Sequence, residues 1–262
     1  MNKVICGNCV DVMAAFPDNY IDLTITSPPY DNLRDYNGYD FDFEGIANQL
    51  YRITKQGGVV VWVVGDATIK GSETGTSFKQ ALYFKEVGFS LHDTMIYAKE
   101  NYIPLTHNRY EQQFEYMFVL SKGKPQTFNP IMKSNKQAGR ENINNRFRQD
   151  KDNQGKRHKD DGVKVESIKP NIFYYYVGSG SSTKDKIAFQ HPAIFPEQLA
   201  SDQIITWSDY GELVFDPMCG SGTTCKMAVV NNRNFIGIDI SEEYCEIARK
   251  RIAEHEHQLA LI

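Results

Sequence analysis

The sequence predicts an α/β fold built on a doubly wound, mostly parallel sheet. Three observations carry this. Short apolar runs alternate along the chain with longer stretches of helical periodicity, the pattern of strands joined by crossover helices. One run, residues 58–65 (GVVVWVVG), is almost wholly apolar, as a strand covered on both faces must be. Near the end of the chain a short apolar strand feeds a Gly-x-Gly turn and then a helix, residues 214–223 (VFDPMCGSGT).

The elements follow in order. Strands are expected at 4–5 and at 21–26, the second stopped by Ser27-Pro28-Pro29. A helix over 43–55 places Ile46, Ala47, Leu50 and Ile53 on one face, with Gly57-Gly58 as its stop signal. After the strand at 58–65 come a helix over 76–87 ended by Gly88, and strands at 90–98 and 114–120. Residues 122–170 lose all periodicity. Regular signals return at 172–177, in a helix from 195 or 196 to 207, and in a strand at 213–215. A helix at 222–231 and a strand at 235–239 follow. A last amphipathic helix starts at Ser241, a good N-cap, with Glu242 and Glu243 in its first turn.

Composition narrows the function. The 262 residues are 41% hydrophobic and 12% aromatic, which indicates a folded protein. No apolar run approaches the roughly 18 residues of a membrane span, and no secretory leader opens the chain, so a cytoplasmic protein is expected. Of Cys6, Cys9, Cys219, Cys225 and Cys245, the first two form a C-x-x-C, but no second Cys or His pair stands at a zinc-like spacing, so reduced thiols and no metal site are expected. Charge is uneven. Residues 121–170 hold 13 Lys and Arg against 6 Asp and Glu, an excess of +7 in a chain of net charge −4, which leaves −11 for the rest. A basic segment in an acidic protein is either a solvated loop or an electrostatic footprint for a polyanion.

Two motifs carry chemistry. In 214–223 the Gly220-Ser221-Gly222 backbone admits a ligand closely, the following helix start favours negative charge, and Asp216 can hold a cationic amine. Asp239 stands at the tip of the next strand, where an acid binds ribose hydroxyls in dinucleotide-type folds. In Ser27-Pro28-Pro29-Tyr30 two prolines fix φ and remove two backbone donors. That leaves the Ser27 hydroxyl and the carbonyls of Ser27 and Pro28 as acceptors, with the Tyr30 ring as a stacking face. Such a set suits a planar heterocycle bearing an amino group.

Together these motifs resemble the amino-methyltransferase family of DNA methyltransferases, whose catalytic signature is D/N/S-P-P-Y/F. The likeness extends through KQGGVVVWVVGD, RYEQQFEYMFVLSKG, HPAIFPEQL, VFDPMCGSGTT and GIDISEEY. With the catalytic loop first and the cofactor loop near the end, the chain resembles the circularly permuted beta group. The resemblance implies a seven-stranded Rossmann-like sheet. It divides into a catalytic half at 1–121, a target-recognition insert at 122–185 and a cofactor half at 186–262.

The resemblance also implies S-adenosylmethionine as cofactor, held by Asp216, Pro217, Met218, Gly220, Ser221, Gly222, Thr223, Asp239 and Phe195. Ser27, Pro28, Pro29 and Tyr30 are the implied catalytic residues. The implied partner is double-stranded DNA, with a homodimer and a cognate restriction endonuclease left open. The S-P-P-Y form favours N4 of cytosine over N6 of adenine as acceptor. Methylation at cytosine carbon-5 would need a Pro-Cys pair, and none occurs. The family's usual Asp at the opening turn is Asn8 here, which weakens that position as a charged cofactor ligand; Asp11 reads as a helix-capping residue. Within the basic insert Arg140, Asn144, Asn145, Arg146, Arg148, Lys156, Arg157 and Lys159 are the candidates for DNA contact.

Overall fold

The structure, a computed structural model, describes residues 1–29, 41–102, 108–135, 164–178, 180–191 and 193–259. In chain order the first half runs β1 (Lys3–Cys6), α1 (Cys9–Ala14), β2 (Ile21–Thr26), α2 (Phe43–Ile53), β3 (Thr54–Val64), β4 (Thr68–Ile69), β5 (Ser72–Glu73), α3 (Thr76–Val87), β6 (Ser90–Lys99) and β7 (Phe114–Ser121). Then come β8 (Met132–Ser134), β9 (Glu166–Ile168), β10 (Ile172–Tyr175), a 3₁₀ turn (Lys186–Gln190), α4 (Glu197–Trp207), β11 (Leu213–Asp216), α5 (Thr223–Val230), β12 (Asn234–Asp239) and α6 (Glu242–Leu259). The chain divides into two compact units, Met1–Asn129 with Asn171–Ile262, and Pro130–Pro170.

The first unit holds an eight-stranded sheet in the order β1-β12-β11-β2-β3-β7-β6-β10. Neighbours are parallel except β7, which runs antiparallel to both β3 and β6. This is the expected α/β architecture with one strand more than the expected seven. The extra strand is β10, seated on the β6 edge, where it buries Phe173 and Tyr175. The Tyr175 hydroxyl donates to Asp202 on α4 at 2.8 Å.

Helices cover both faces. On one, Met13 of α1, Leu50 and Ile53 of α2 and Phe84 of α3 pack on Val60, Trp62, Phe118, Phe215 and Ile236. The Trp62 indole N–H is satisfied by Gln80 of α3 at 2.8 Å. On the other face α5 packs against β11, β12, α4 and α6. Residues 59–64 of β3 are at most 1% exposed, which accounts for a strand sequence without polar alternation.

Several boundaries differ from those expected. α2 stops at Ile53, and Gly57 and Gly58 lie inside β3. The helix ends where the Thr54 hydroxyl donates to the Leu50 carbonyl and the Lys122 ammonium donates to the carbonyls of Tyr51 and Thr54. Those bonds satisfy the last turn without a glycine cap. The second unit also has regular structure, because β8 and β9 pair antiparallel from Met132 with Ile168 to Ser134 with Glu166. Among the described residues no helix is long and apolar enough to cross a membrane.

Candidate active site

The sheet reverses its winding between β11 and β2: β12 and β1 lie beyond one, β3 beyond the other. Ligands in such sheets bind at the carboxyl ends of the strands at this point. β11 and β2 pair in parallel, Val214 with Leu23 and Phe215 with Thr24. Two steps further on, Pro217 and Thr26 leave the sheet on adjacent strands about 4.8 Å apart. The Ser27-Pro28-Pro29 turn and the Asp216-to-Gly222 turn therefore emerge side by side. Pro28 is buried, while Ser27 and Pro29 are half-buried. Tyr30 lies outside the described residues. The Thr224 hydroxyl of α5 donates to the Ile25 carbonyl at 3.3 Å and ties that helix to β2.

The two acids occupy different environments. Asp216 is 1% exposed and accepts the Met218 amide at 3.1 Å. Burial pushes its carboxyl up to about 6, partly offset by the hydroxyls of Thr26 and Thr224 and by the Met218 amide. Asp239 is half-buried. One of its oxygens accepts the Gly220 amide at 2.8 Å and the other the Ser241 amide at 2.9 Å. Burial raises this carboxyl too, against the pull of those backbone bonds. Each Asp239 oxygen keeps acceptor capacity for a hydroxyl donor.

The glycine turn spends much of its own polarity inward. The Cys219 amide donates to the Ile238 carbonyl and the Gly222 amide to the Cys219 carbonyl, each at 2.7 Å. Gly220 and Gly222 have φ of +50° and +80°, which favours glycine at both. Their missing side chains make room for different neighbours. A Cβ on Gly222 would lie 2.6 Å from the Ala248 Cβ of α6, so the missing side chain is needed for helix packing. A Cβ on Gly220 would lie 2.7 Å from His191 Nε2. Ser221 and Thr223 turn their hydroxyls toward Arg251 of α6, at 3.1 and 3.3 Å.

Two residues that sequence reasoning did not single out thus lie against this turn, Arg251 and His191. The His191 ring packs edge-on to Tyr244 at 4.4 Å between centroids, with Nδ1 held at the Ala193 backbone. Its place in HPAIFPEQL was the available signal. Pro217 is buried, and Met218 and Phe195 are half-buried. Asn8 is the N-cap of α1, its Oδ1 accepting the amides of Val10 and Asp11 at 2.9 and 3.4 Å. Asp11 therefore sits in the first turn and is not the cap. All the DNA-contact candidates between 140 and 159 lie outside the described residues.

Residues 21–250 match the model of the N6_N4_Mtase family, described as DNA methylase. The chain belongs to the DNA methylase family. Among curated relatives it is 56% identical over 240 residues to the orphan methyltransferase M.BamHII of Bacillus amyloliquefaciens, covering 91% of each chain. Its fold is similar to that of PvuII DNA methyltransferase (cytosine-N4-specific), with a TM-score of 0.71 at 19% identity over 95% of this chain and 85% of that one. It is also similar to a DNA modification methylase from Thermus thermophilus solved with S-adenosyl-L-methionine. There the TM-score is 0.64 at 21% identity, over 97% of this chain and 95% of that one.

Proposed function

We propose that this chain is a site-specific DNA methyltransferase. It moves a methyl group from S-adenosylmethionine to the exocyclic amino group of a base flipped out of duplex DNA, with N4 of cytosine as the acceptor. The observation that carries this reading is the adjacency of two turns at the switch point, one rich in hydrogen-bond acceptors and one glycine-rich and flanked by acids. The residues present suit the cofactor. The buried Asp216 carboxylate matches a cationic amine, and the spare acceptor capacity of Asp239 matches ribose hydroxyls. Phe195, just before α4, offers an apolar edge.

S-adenosylmethionine supplies an electrophilic methyl group on a sulfonium. The chain's own residues handle the nucleophile. A base amino group is weak because its lone pair is delocalised into the ring. Accepting its N–H bonds at the Ser27 hydroxyl and the Pro28 carbonyl localises that pair and fixes the approach line. Tyr30 stacks on the extruded base. As the new N–C bond forms, the C–S bond breaks, and the amino nitrogen sheds one proton to solvent. No thiol nucleophile takes part. Cys219 and Cys225 are buried, and the Cys219 thiol is pushed far up by its hydrogen bond to Cys225 and by burial.

The order of the two turns along the chain supports the permuted beta arrangement. Residues 1–121, 122–185 and 186–262 then act as catalytic half, target-recognition insert and cofactor half. The S-P-P-Y form supports cytosine, as does the cytosine-N4 specificity named for the PvuII enzyme. Long-read modification calling with nucleoside mass spectrometry, on DNA from a methylation-free host expressing the chain, tests this. N4-methylcytosine at one short sequence is expected. N6-methyladenine would move the acceptor to adenine, and unmodified DNA alongside a folded protein would overturn the reading.

A further inference from the structure

One buried cation grips the glycine turn from beneath. Arg251 is 1% exposed, and its guanidinium is fully engaged. Nη1 donates to the Ser221 carbonyl at 2.6 Å and to the hydroxyls of Ser221 and Thr223 at 3.1 and 3.3 Å. Nε donates to Asp185 at 3.0 Å, and Nη2 to Glu197 at 2.8 Å and Thr183 at 3.4 Å. Lys226 of α5 bridges the same two carboxylates at 2.8 Å each. Burial pushes the Asp185 carboxyl up, and the hydrogen bonds and charges of these two cations more than reverse that and hold it below its ordinary value.

Two cations and two anions cancel, so the cluster is neutral. Its cations are buried and its carboxylates half-buried, and such a neutral ion cluster is seldom more stable than apolar packing of the same volume, so stability alone is a poor account of it. Its geometry suggests another. The carbonyl it holds is that of Ser221, between two glycines in the left-handed region. Glycines visit both signs of φ freely, so the peptide planes of 220–222 have no intrinsic orientation. The guanidinium fork places one edge on the carboxylates and its far nitrogen on that carbonyl, a span that a point-charge ammonium cannot reproduce. The same 180–197 segment that supplies Asp185 and Glu197 also lays His191 on Gly220.

We propose that Arg251 is a positioning residue for the cofactor turn. By drawing the Ser221 carbonyl inward it holds residues 220–222 in the orientation that receives S-adenosylmethionine, while Asp185 and Glu197 hold the guanidinium in place. This rests on the cofactor reading above, and it predicts that the cost of losing the grip appears in cofactor affinity.

The test uses the full-length chain and S-adenosylmethionine in calorimetry, with thermal unfolding, DNA filter binding and steady-state kinetics alongside. Arg251→Lys keeps the charge facing Asp185 and Glu197 but cannot span to the Ser221 carbonyl. It is expected to weaken S-adenosylmethionine binding about tenfold, the worth of one charge-assisted hydrogen bond. The KM for the cofactor should rise in step, while kcat at saturating cofactor and DNA affinity stay at wild-type values. Glu197→Gln keeps an acceptor for Nη2 but weakens the hold, and a smaller loss of about threefold is expected. It decides the matter if the lysine variant does not fold. A lowered melting temperature with wild-type cofactor affinity in the folded variants would make Arg251 merely structural and overturn the proposal. Wild-type protein that binds no S-adenosylmethionine would overturn the cofactor reading, and this proposal with it.

Discussion

The two turns that leave the sheet side by side are stiffened by opposite means. After β2 the chain is fixed covalently: two consecutive prolines lock φ, and Pro28 is buried. After β11 a single proline, Pro217, gives way to two glycines at positive φ, and that stretch is fixed by one internal bond, from the Gly222 amide to the Cys219 carbonyl, and by its neighbours. Asp239 holds the Gly220 amide, Arg251 holds the Ser221 carbonyl, Ala248 abuts Gly222 and His191 abuts Gly220. The first turn carries its shape wherever the strand goes. The second has a shape conditional on residues up to α6, and is open to change by mutation and by pH.

The hardest way to break this contrast is at Gly220. Gly220→Val adds a branched side chain where φ is +50° and where His191 Nε2 lies 2.7 Å from the new Cβ. Strain and overpacking together are worth about 3–5 kcal/mol. Calorimetry should show S-adenosylmethionine binding falling by more than about 100-fold, with circular dichroism reporting a folded chain. Pro28→Ala, the matching insult to the other turn, should leave cofactor affinity nearly unchanged. Equal losses from both would end the distinction.

A second prediction uses the buried acid. The Asp216 carboxyl rises from 3.8 to about 6 in the folded chain. Between those values the folded state holds a proton that the unfolded state has released. The contribution to stability is therefore fully present below about pH 4 and lost as pH rises through about 6, about 3 kcal/mol in all. Asp216→Asn stays neutral throughout. Referred to its own stability at pH 4, it should lose less than wild type in urea unfolding at pH 8, by up to that amount. On the proposed role of Asp216 as counter-charge to the amine, it should also bind S-adenosylmethionine about tenfold more weakly. Parallel pH profiles for the two proteins would show that Asp216 does not titrate as described.

The proline-stiffened turn should respond in rate more than in binding. If the Ser27 hydroxyl accepts from the base amino group as proposed, Ser27→Ala should slow single-turnover methyl transfer by about 10–100-fold with cofactor affinity intact. Tyr30→Ala should weaken capture of the flipped base by ~1–3 kcal/mol. A full single-turnover rate in Ser27→Ala would remove the hydroxyl from the chemistry.

How much of this was legible in the sequence follows the same division. What depends on local chain chemistry was readable. The bounds of α3, between Gly75 and Gly88, the apolar β3 and the two turns all follow from residue type and short spacing. What depends on distant partners was not. Arg251 sits in an exposed-looking run, ARKRIAEH, and only the packing of α6 shows it buried. His191 and Gly220 are far apart in the chain. β8 and β9 are three residues each and pair across a long intervening segment, too short for a periodic signal. The β4–β5 hairpin around Lys70-Gly71, two residues a strand, is too short for the same reason.

The smallest expected effect concerns neither turn, and it sharpens the contrast by asking what brings the duplex to them. On the proposed roles, the β11 turn would serve the cofactor and the β2 turn one extruded base, and neither role accounts for affinity along a DNA backbone. The sequence offers one cation-rich stretch, with an excess of +7 over residues 121–170. Phosphate contacts from lysine and arginine give affinity with little sequence information, and they release counterions. Neutralising Lys156, Arg157 and Lys159 together should weaken DNA binding severalfold. It should also flatten the plot of log affinity against log salt by about one unit per lost contact. S-adenosylmethionine affinity should not move, because Asp239, Arg251 and Ala248 account for the hold on the glycine turn. An unchanged salt slope would remove these three side chains from the phosphate backbone. A fall in cofactor affinity would show that the basic stretch and the glycine turn are coupled, and the conditional turn would then depend on DNA as well as on its own neighbours.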